Sequence, residues 1–181
     1  MLRRTGAKRG HTVHIELPGR TGYSSTVRND VIYRVRNEGL MRMPEMRPVK
    51  LVLTSRQGQD ETVQSLTGNA MIRDGAVYIR YNEPVTEPAG GITRTMVKIT
   101  GEELKIMRHG DVEAEQTFRA GQRLPGFYRS PFTRFNLSTD TVKVDSRLNG
   151  VAGLVTWEYD LYVYEELSGH FAISLHIQEE V

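Results

Sequence analysis

From residue 47 onward, apolar and polar residues alternate with period two. The stretch AVYIRYNE (76–83) separates Val77, Ile79, Tyr81 and Glu83 from Ala76, Tyr78, Arg80 and Asn82. In GLVTWEYDLYVYEE (153–166), Val155, Trp157, Tyr159, Leu161 and Val163 share one face, and in HFAISLHI (170–177), Phe171, Ile173, Leu175 and Ile177 do the same. VKLVLTS (49–55) is rich in β-formers. Alternation of this kind sets one face of a strand against a core and the other toward water, the mark of half-buried antiparallel sheet. Glycine-containing punctuation at RDGA, ITGEE, RHGD, RLNGVAG and ELSGH reads as turns. No amphipathic helix of useful length follows residue 66, and no internal repeat is visible. Short strands in series predict an up-and-down barrel or a sandwich.

Two hairpins can be registered by counting. If residues 100–103 form a four-residue loop, Ile99 faces Leu104, Val97 faces Ile106 and Thr95 faces Arg108. If His109–Asp111 is a three-residue loop, Arg108 faces Val112, Ile106 faces Ala114, and Lys105 meets Glu115 on the outer face. Two-residue loops would turn one strand inside out. On this reading RHGD is a turn. The alternative, a phosphorylated histidine at His109, needs a helix directly after the tripeptide and a large α/β domain around it. Only strand-like sequence follows Gly110.

The chain has 181 residues, enough for one domain with a substantial core. It contains no cysteine, which excludes disulfides and thiol catalysis and fits a reducing, cytoplasmic location. No run approaches the roughly eighteen apolar residues of a membrane helix. Charge is uneven. Residues 1–46 hold nine basic and four acidic residues, a balance of +5, so the overall +2 leaves −3 for residues 47–181. The body lacks the basic excess that a nucleic-acid backbone demands, and nucleic-acid binding is disfavoured. Residues 1–46 read as a basic extension, loosely attached to the domain at 47–181 or absent from the native product, since Met41, Met43 and Met46 offer alternative starts.

With the strands placed, IRYNE, GGITRTMVKIT and LKIMRHGDVEAEQTF (79–118), then FYRSPFTRFNLSTDTV (127–142) and LVTWEYDLYVYEELSGHFAISLHI (154–177), resemble the YwiB-like family of small bacterial proteins. The resemblance spans roughly residues 47–179. It implies a calycin-like or lipocalin-like antiparallel up-and-down β-barrel, and it supplies no catalytic residues. Together with the alternation, it gives an expectation of eight or nine strands.

Candidate chemistry is sparse. There is no GxSxG, no P-loop and no dinucleotide fingerprint. His170 and His176 share a face but lie six residues apart, about 20 Å along a strand, and His11 and His14 point to opposite faces of one. Neither pair makes a metal site, and no cofactor is implied. Asp111, Glu113 and Glu115 form an outward acidic stripe. The inner face is more informative. By parity, Tyr81, Glu83, Thr93, Thr95, Arg108, Gln116 and Tyr159 point inward beside Val77, Ile79, Val97, Ile99, Ile106, Phe118 and Trp157. A dry core does not hold that many polar groups unpaired. They form either a satisfied internal network or the polar rim of a ligand cavity, with the loop EPVTEPAGG (83–91) as a partial lid. The expected protein is a non-enzymatic barrel that binds a small molecule through Tyr81, Glu83, Thr95, Arg108, Trp157 and Tyr159. Two other readings stand beside it. One is a hydrolase or lyase with Glu83 as base and Arg108 as electrostatic stabiliser. The other is an interaction module working through the basic N-terminal segment. A homodimer is compatible with all three.

Overall fold

The structure, a computed structural model, describes residues 45–84 and 91–180. The N-terminal extension up to residue 44 and most of the 83–91 loop lie outside the described residues. Ten strands follow one another: β1 (Arg47–Gln57), β2 (Asp60–Arg73), β3 (Ala76–Asn82), β4 (Thr93–Ile99), β5 (Leu104–Gly110), β6 (Glu113–Phe118), β7 (Gln122–Arg129), β8 (Arg134–Asn149), β9 (Ala152–Val163) and β10 (Glu166–Glu179). Each pairs antiparallel with its neighbour in sequence, and β1 also pairs with β10. The sheet therefore closes into an up-and-down barrel with no free edge. There are ten strands rather than the expected eight or nine. Alternation hides β2, whose inward positions include Thr62, Gln64 and Gly68, and β7, which contains Pro125 and Gly126.

The predicted faces are those observed. Val77, Ile79, Val97, Ile99, Phe118, Val155, Trp157, Leu175 and Ile177 are buried together in one core. Tilted aromatic contacts fix its centre: Phe118 lies 4.7 Å from Tyr159 and 5.9 Å from Trp157, measured between ring centres.

Turn chemistry explains the registers. Asp74 and Gly75 both have positive φ, the two-residue type I′ hairpin that Asp-Gly favours. The 100–103 loop sets Ile99 opposite Leu104 and Thr95 opposite Arg108, as counted from the sequence. The next hairpin corrects the count. Arg108 faces Ala114 and Ile106 faces Gln116, so five residues rather than three separate the paired positions. The cause is Gly110. Its φ of +129° lets β5 run on, pairing Gly110 with Thr93 and His109 with Arg94. His109 is thus a strand residue, and the reversal falls on Asp111 and Val112. A slip of two residues keeps parity, so every inward residue stays inward. Lys105 still reaches Glu115, at 2.7 Å, as a diagonal neighbour.

ELSGH is also corrected. The β9–β10 turn is Tyr164–Glu165, with φ of +49° and +67°, and Gly169 lies within β10 at a register shift. One seam in the barrel is thin. β6 and β7 share three paired positions, while β7 and β8 share eight. Pro125 has no N–H to give a ladder. Across this seam the Thr139 hydroxyl donates to the Thr117 carbonyl at 2.8 Å.

Candidate functional site

The up-and-down order sends β3, β5, β7 and β9 toward the same end of the barrel, where β4, β6, β8 and β10 begin. Along β1, β3, β5, β9 and β10, the inward residues change character toward that end. Val49, Leu51, Ile79, Leu104, Val155, Leu175 and Ile177 are sealed. Leu53, Tyr81, Ile106, Leu161, Phe171 and Ile173, further toward it on the same strands, are only partly buried. On these five strands the interior is sealed at one end and less tightly buried toward the other, while on β4, β6 and β8 Thr93, Thr95, Ala114, Leu137 and Thr139 stay buried at that same end.

The polar residues singled out by parity gather toward that end, Thr93, Thr95 and Tyr159 buried and Glu83 and Arg108 partly exposed. Arg108 Nε lies 2.8 Å from Glu83 Oε1. Thr95 Oγ1 donates to the same oxygen. Thr95 sits between them for a structural reason: it is paired with Tyr81 on β3 and with Arg108 on β5. The two charged side chains retain 38% (Arg108) and 22% (Glu83) of their accessible surface, so the pair is neither sealed nor fully solvated. Glu83 Oε1 thus accepts a hydrogen bond from Thr95 and forms an ion pair with Arg108, whose Nε is its nearest nitrogen. Among the described residues, the two terminal nitrogens of the Arg108 fork have no hydrogen-bond acceptor.

Two tyrosines flank the pair. Burial raises the Tyr81 phenol above its ordinary value and the nearby Glu83 carboxylate adds to this, while Arg108 and a hydrogen bond with Thr95 pull it back. Burial pushes Tyr159 up to about 12, against smaller downward pulls from Arg108 and a hydrogen bond with Gln116. Both therefore present neutral hydroxyls at neutral pH. Gln116 belongs to the cluster through Tyr159; the inner-face parity gave its position but not this role. Tyr159 also stacks on Phe171, with ring centres 5.3 Å apart.

Trp157 is placed differently from the rest. It is almost wholly buried beneath the cluster, at 3% exposure, and its Nε1 has no partner among the described residues. Thr141 Oγ1, on the strand position facing Tyr159, is unpartnered as well. Elsewhere Glu113 and Glu115 of the acidic stripe, and His170, make surface ion pairs. Glu115 is paired with Lys105, Glu113 lies 3.9 Å from Arg129, and His170 contacts Asp160 at 2.8 Å. Among the described residues, no group of three or more His, Asp or Glu side chains is placed to hold a metal ion, and no helix is long and apolar enough to cross a membrane.

Comparison with known proteins agrees with this architecture. Residues 49–175 match the family described as a domain of unknown function, DUF1934. The uncharacterized β-barrel protein YwiB of Bacillus subtilis (strain 168) is 30% identical over 118 residues, covering 65% of this chain and 81% of YwiB. The crystal structure of the ywiB protein from Bacillus subtilis superposes with a TM-score of 0.66 at 23% identity, covering 76% of this chain and 96% of that one. Sealed core, closed ten-strand meander and sequence match converge: the chain belongs to the DUF1934 family, that of the β-barrel protein YwiB.

Proposed function

We propose that the barrel binds a small amphipathic molecule through its open end. Its carboxylate or carbonyl group meets the terminal nitrogens of Arg108, and its apolar part lies against Leu53, Leu161, Phe171 and Ile173. The observation that carries this reading is the graded interior. Inward residues on the same strands pass from sealed to half-exposed, and the polar cluster stands at that change. A core built only for stability gains most by burying such residues fully. A binding cavity instead keeps an apolar wall and a few convergent polar groups.

The Arg108 fork suits a carboxylate because two parallel N–H groups match its two oxygens. Glu83, itself held by the Thr95 hydroxyl, anchors the guanidinium from one side before a ligand arrives. Tyr81 and Tyr159 add neutral hydroxyls that donate to a carbonyl or carboxylate. Among the described residues, Glu83 is the one carboxylate in the cluster and is already engaged by Thr95 and Arg108, which favours binding over turnover. Native mass spectrometry of protein purified under non-denaturing conditions tests the reading. A bound mass that is retained by the parent chain and lost in Arg108→Ala supports it. An unliganded parent chain that also fails to take up any member of a panel of carboxylate amphiphiles refutes it.

A further inference from the structure

We propose that the outer face of β2–β5 carries a second site, separate from the mouth, that binds the phosphate chain of a small phosphorylated ligand. A groove of about 470 Å³ lies there, with Asn69, Arg80, Asn82, Arg94, Met96 and His109 in its lining. Strand register brings these residues together. Asn69 is opposite Arg80, Arg80 opposite Met96, Asn82 opposite Arg94, and Arg94 opposite His109. Arg80 and Arg94 are therefore diagonal neighbours, a separation of about 7–8 Å that long side chains bridge readily.

Among the described residues, this face gathers three of the five cations that have no ion-pair partner. Of the fifteen lysines and arginines among the described residues, ten form an ion pair with a carboxylate. Arg80, Arg94 and the adjacent Lys98 do not, although they sit side by side. Lys98 faces Lys105 directly across the ladder. Like charges in that position destabilise a sheet. Lys105 is compensated by Glu115. Arg80, Arg94 and Lys98 have no such compensation among the described residues, and a bound anion would supply it.

The donor set selects the anion. Each guanidinium is a planar fork that matches two phosphate oxygens, so two converging forks suit successive phosphoryl groups. The Asn69 and Asn82 amides flank them and can serve a polar organic portion. The groove is within the size range of small-molecule sites. A long polyanion fits less well, because residues 47–181 carry a net charge of −3 and offer no extended basic track.

Isothermal titration of the full chain with ATP, inorganic tripolyphosphate and a poly(U) oligonucleotide tests the proposal. The expected result is saturable one-site binding of ATP and tripolyphosphate. Binding should be about tenfold weaker or worse in Arg80→Ala and in Arg94→Ala, while the Arg108→Ala variant, whose side chain points into the barrel, binds as the parent does. Arg80 and Arg94 are exposed, so unchanged melting of their variants confirms intact folding. Tighter binding of ATP than of tripolyphosphate, reduced by Asn82→Ala, assigns the ligand as a nucleotide. Equal binding assigns inorganic polyphosphate. No saturable heat with either at millimolar concentration overturns the site, as does full affinity in both arginine variants. Preference for poly(U) over both small anions overturns it in favour of a nucleic-acid surface. Loss of the mouth ligand in Arg108→Ala reports on the other site alone, so failure of one reading leaves the other standing.

Discussion

Removing the Arg108–Glu83 pair should show how open the barrel is. Fully exposed pairs contribute about 0.2–1 kcal/mol. Breaking a sealed one costs about 3–5 kcal/mol, because the remaining charge is left without a partner. Here the guanidinium keeps 38% of its surface and the carboxylate 22%, and the contact is short at 2.8 Å. Water screens the pair in part, and the Thr95 hydroxyl continues to serve Glu83 once Arg108 is gone. The expected coupling energy falls between the two limits, at about 1–2 kcal/mol. For a chain of this size, Arg108→Leu or Glu83→Leu alone should lower the melting temperature by roughly 3–8 °C. The double variant should fall little further than the worse single one. A double-mutant cycle from urea or thermal melts measures the coupling directly. A value above about 3 kcal/mol would mean a dry, filled core at this point and would refute the open mouth. A value indistinguishable from zero would mean that the pair is not held at all.

Three further outcomes follow from the same geometry. The Tyr159 phenol titrates at about 12 in the fold and near 10.0 when unfolded, so the stability that its neutral form provides is fully present below pH 10 and is lost as pH rises toward 12. Against the parent, Tyr159→Phe should flatten that alkaline loss by up to about 3 kcal/mol, read from melts between pH 9 and pH 12; parallel curves for the two proteins would contradict it. Phe118, 1% exposed and touching both Trp157 and Tyr159, should cost about 3–5 kcal/mol as Phe118→Ala in chemical denaturation, and a loss below about 1 kcal/mol would show that the closed end is not packed as described. Gly110→Ala places a Cβ against the Ile92 carbonyl at a φ of +129°, and should lower stability by at least about 1–3 kcal/mol while Gly101→Ala, with open space around it, stays near the parent.

Period-two alternation was enough to assign inside and outside correctly on β3, β4, β9 and β10, because side-chain direction in a strand follows from position parity alone. The same rule brought Glu83, Thr95 and Arg108 to one place before any coordinates, since a four-residue loop at 100–103 fixes one register. Strand number was less legible. β2 presents Thr62, Gln64 and Gly68 inward and so lacks the apolar alternation by which strands are recognised. Gly110 misled in a different way. Glycine after histidine reads as a turn, whereas here its positive φ prolongs a strand and shifts the β5–β6 pairing by two residues. The Tyr164–Glu165 turn carries no glycine at all, and the nearby Gly169 drew attention away from it. The outer groove was legible only in part. Arg80 and Asn82 fall on the polar face of AVYIRYNE, but their meeting with Arg94 depends on the β3–β4 register and that with His109 on β5 running on past Arg108.

The open, carboxylate-binding mouth is tested most directly by the single tryptophan of the chain. Trp157 lies beneath the polar cluster, two positions along β9 from Tyr159, and its fluorescence reports on what enters from above. Titrating the full chain with decanoate, and with decanol as the uncharged control, should give a saturable change with the acid. Binding should be at least about tenfold weaker with the alcohol and with Arg108→Ala, the loss of one charge-assisted fork worth about 1.5–3 kcal/mol. A spectrum that decanoate leaves unchanged, together with no bound acid by native mass spectrometry, would contradict the account.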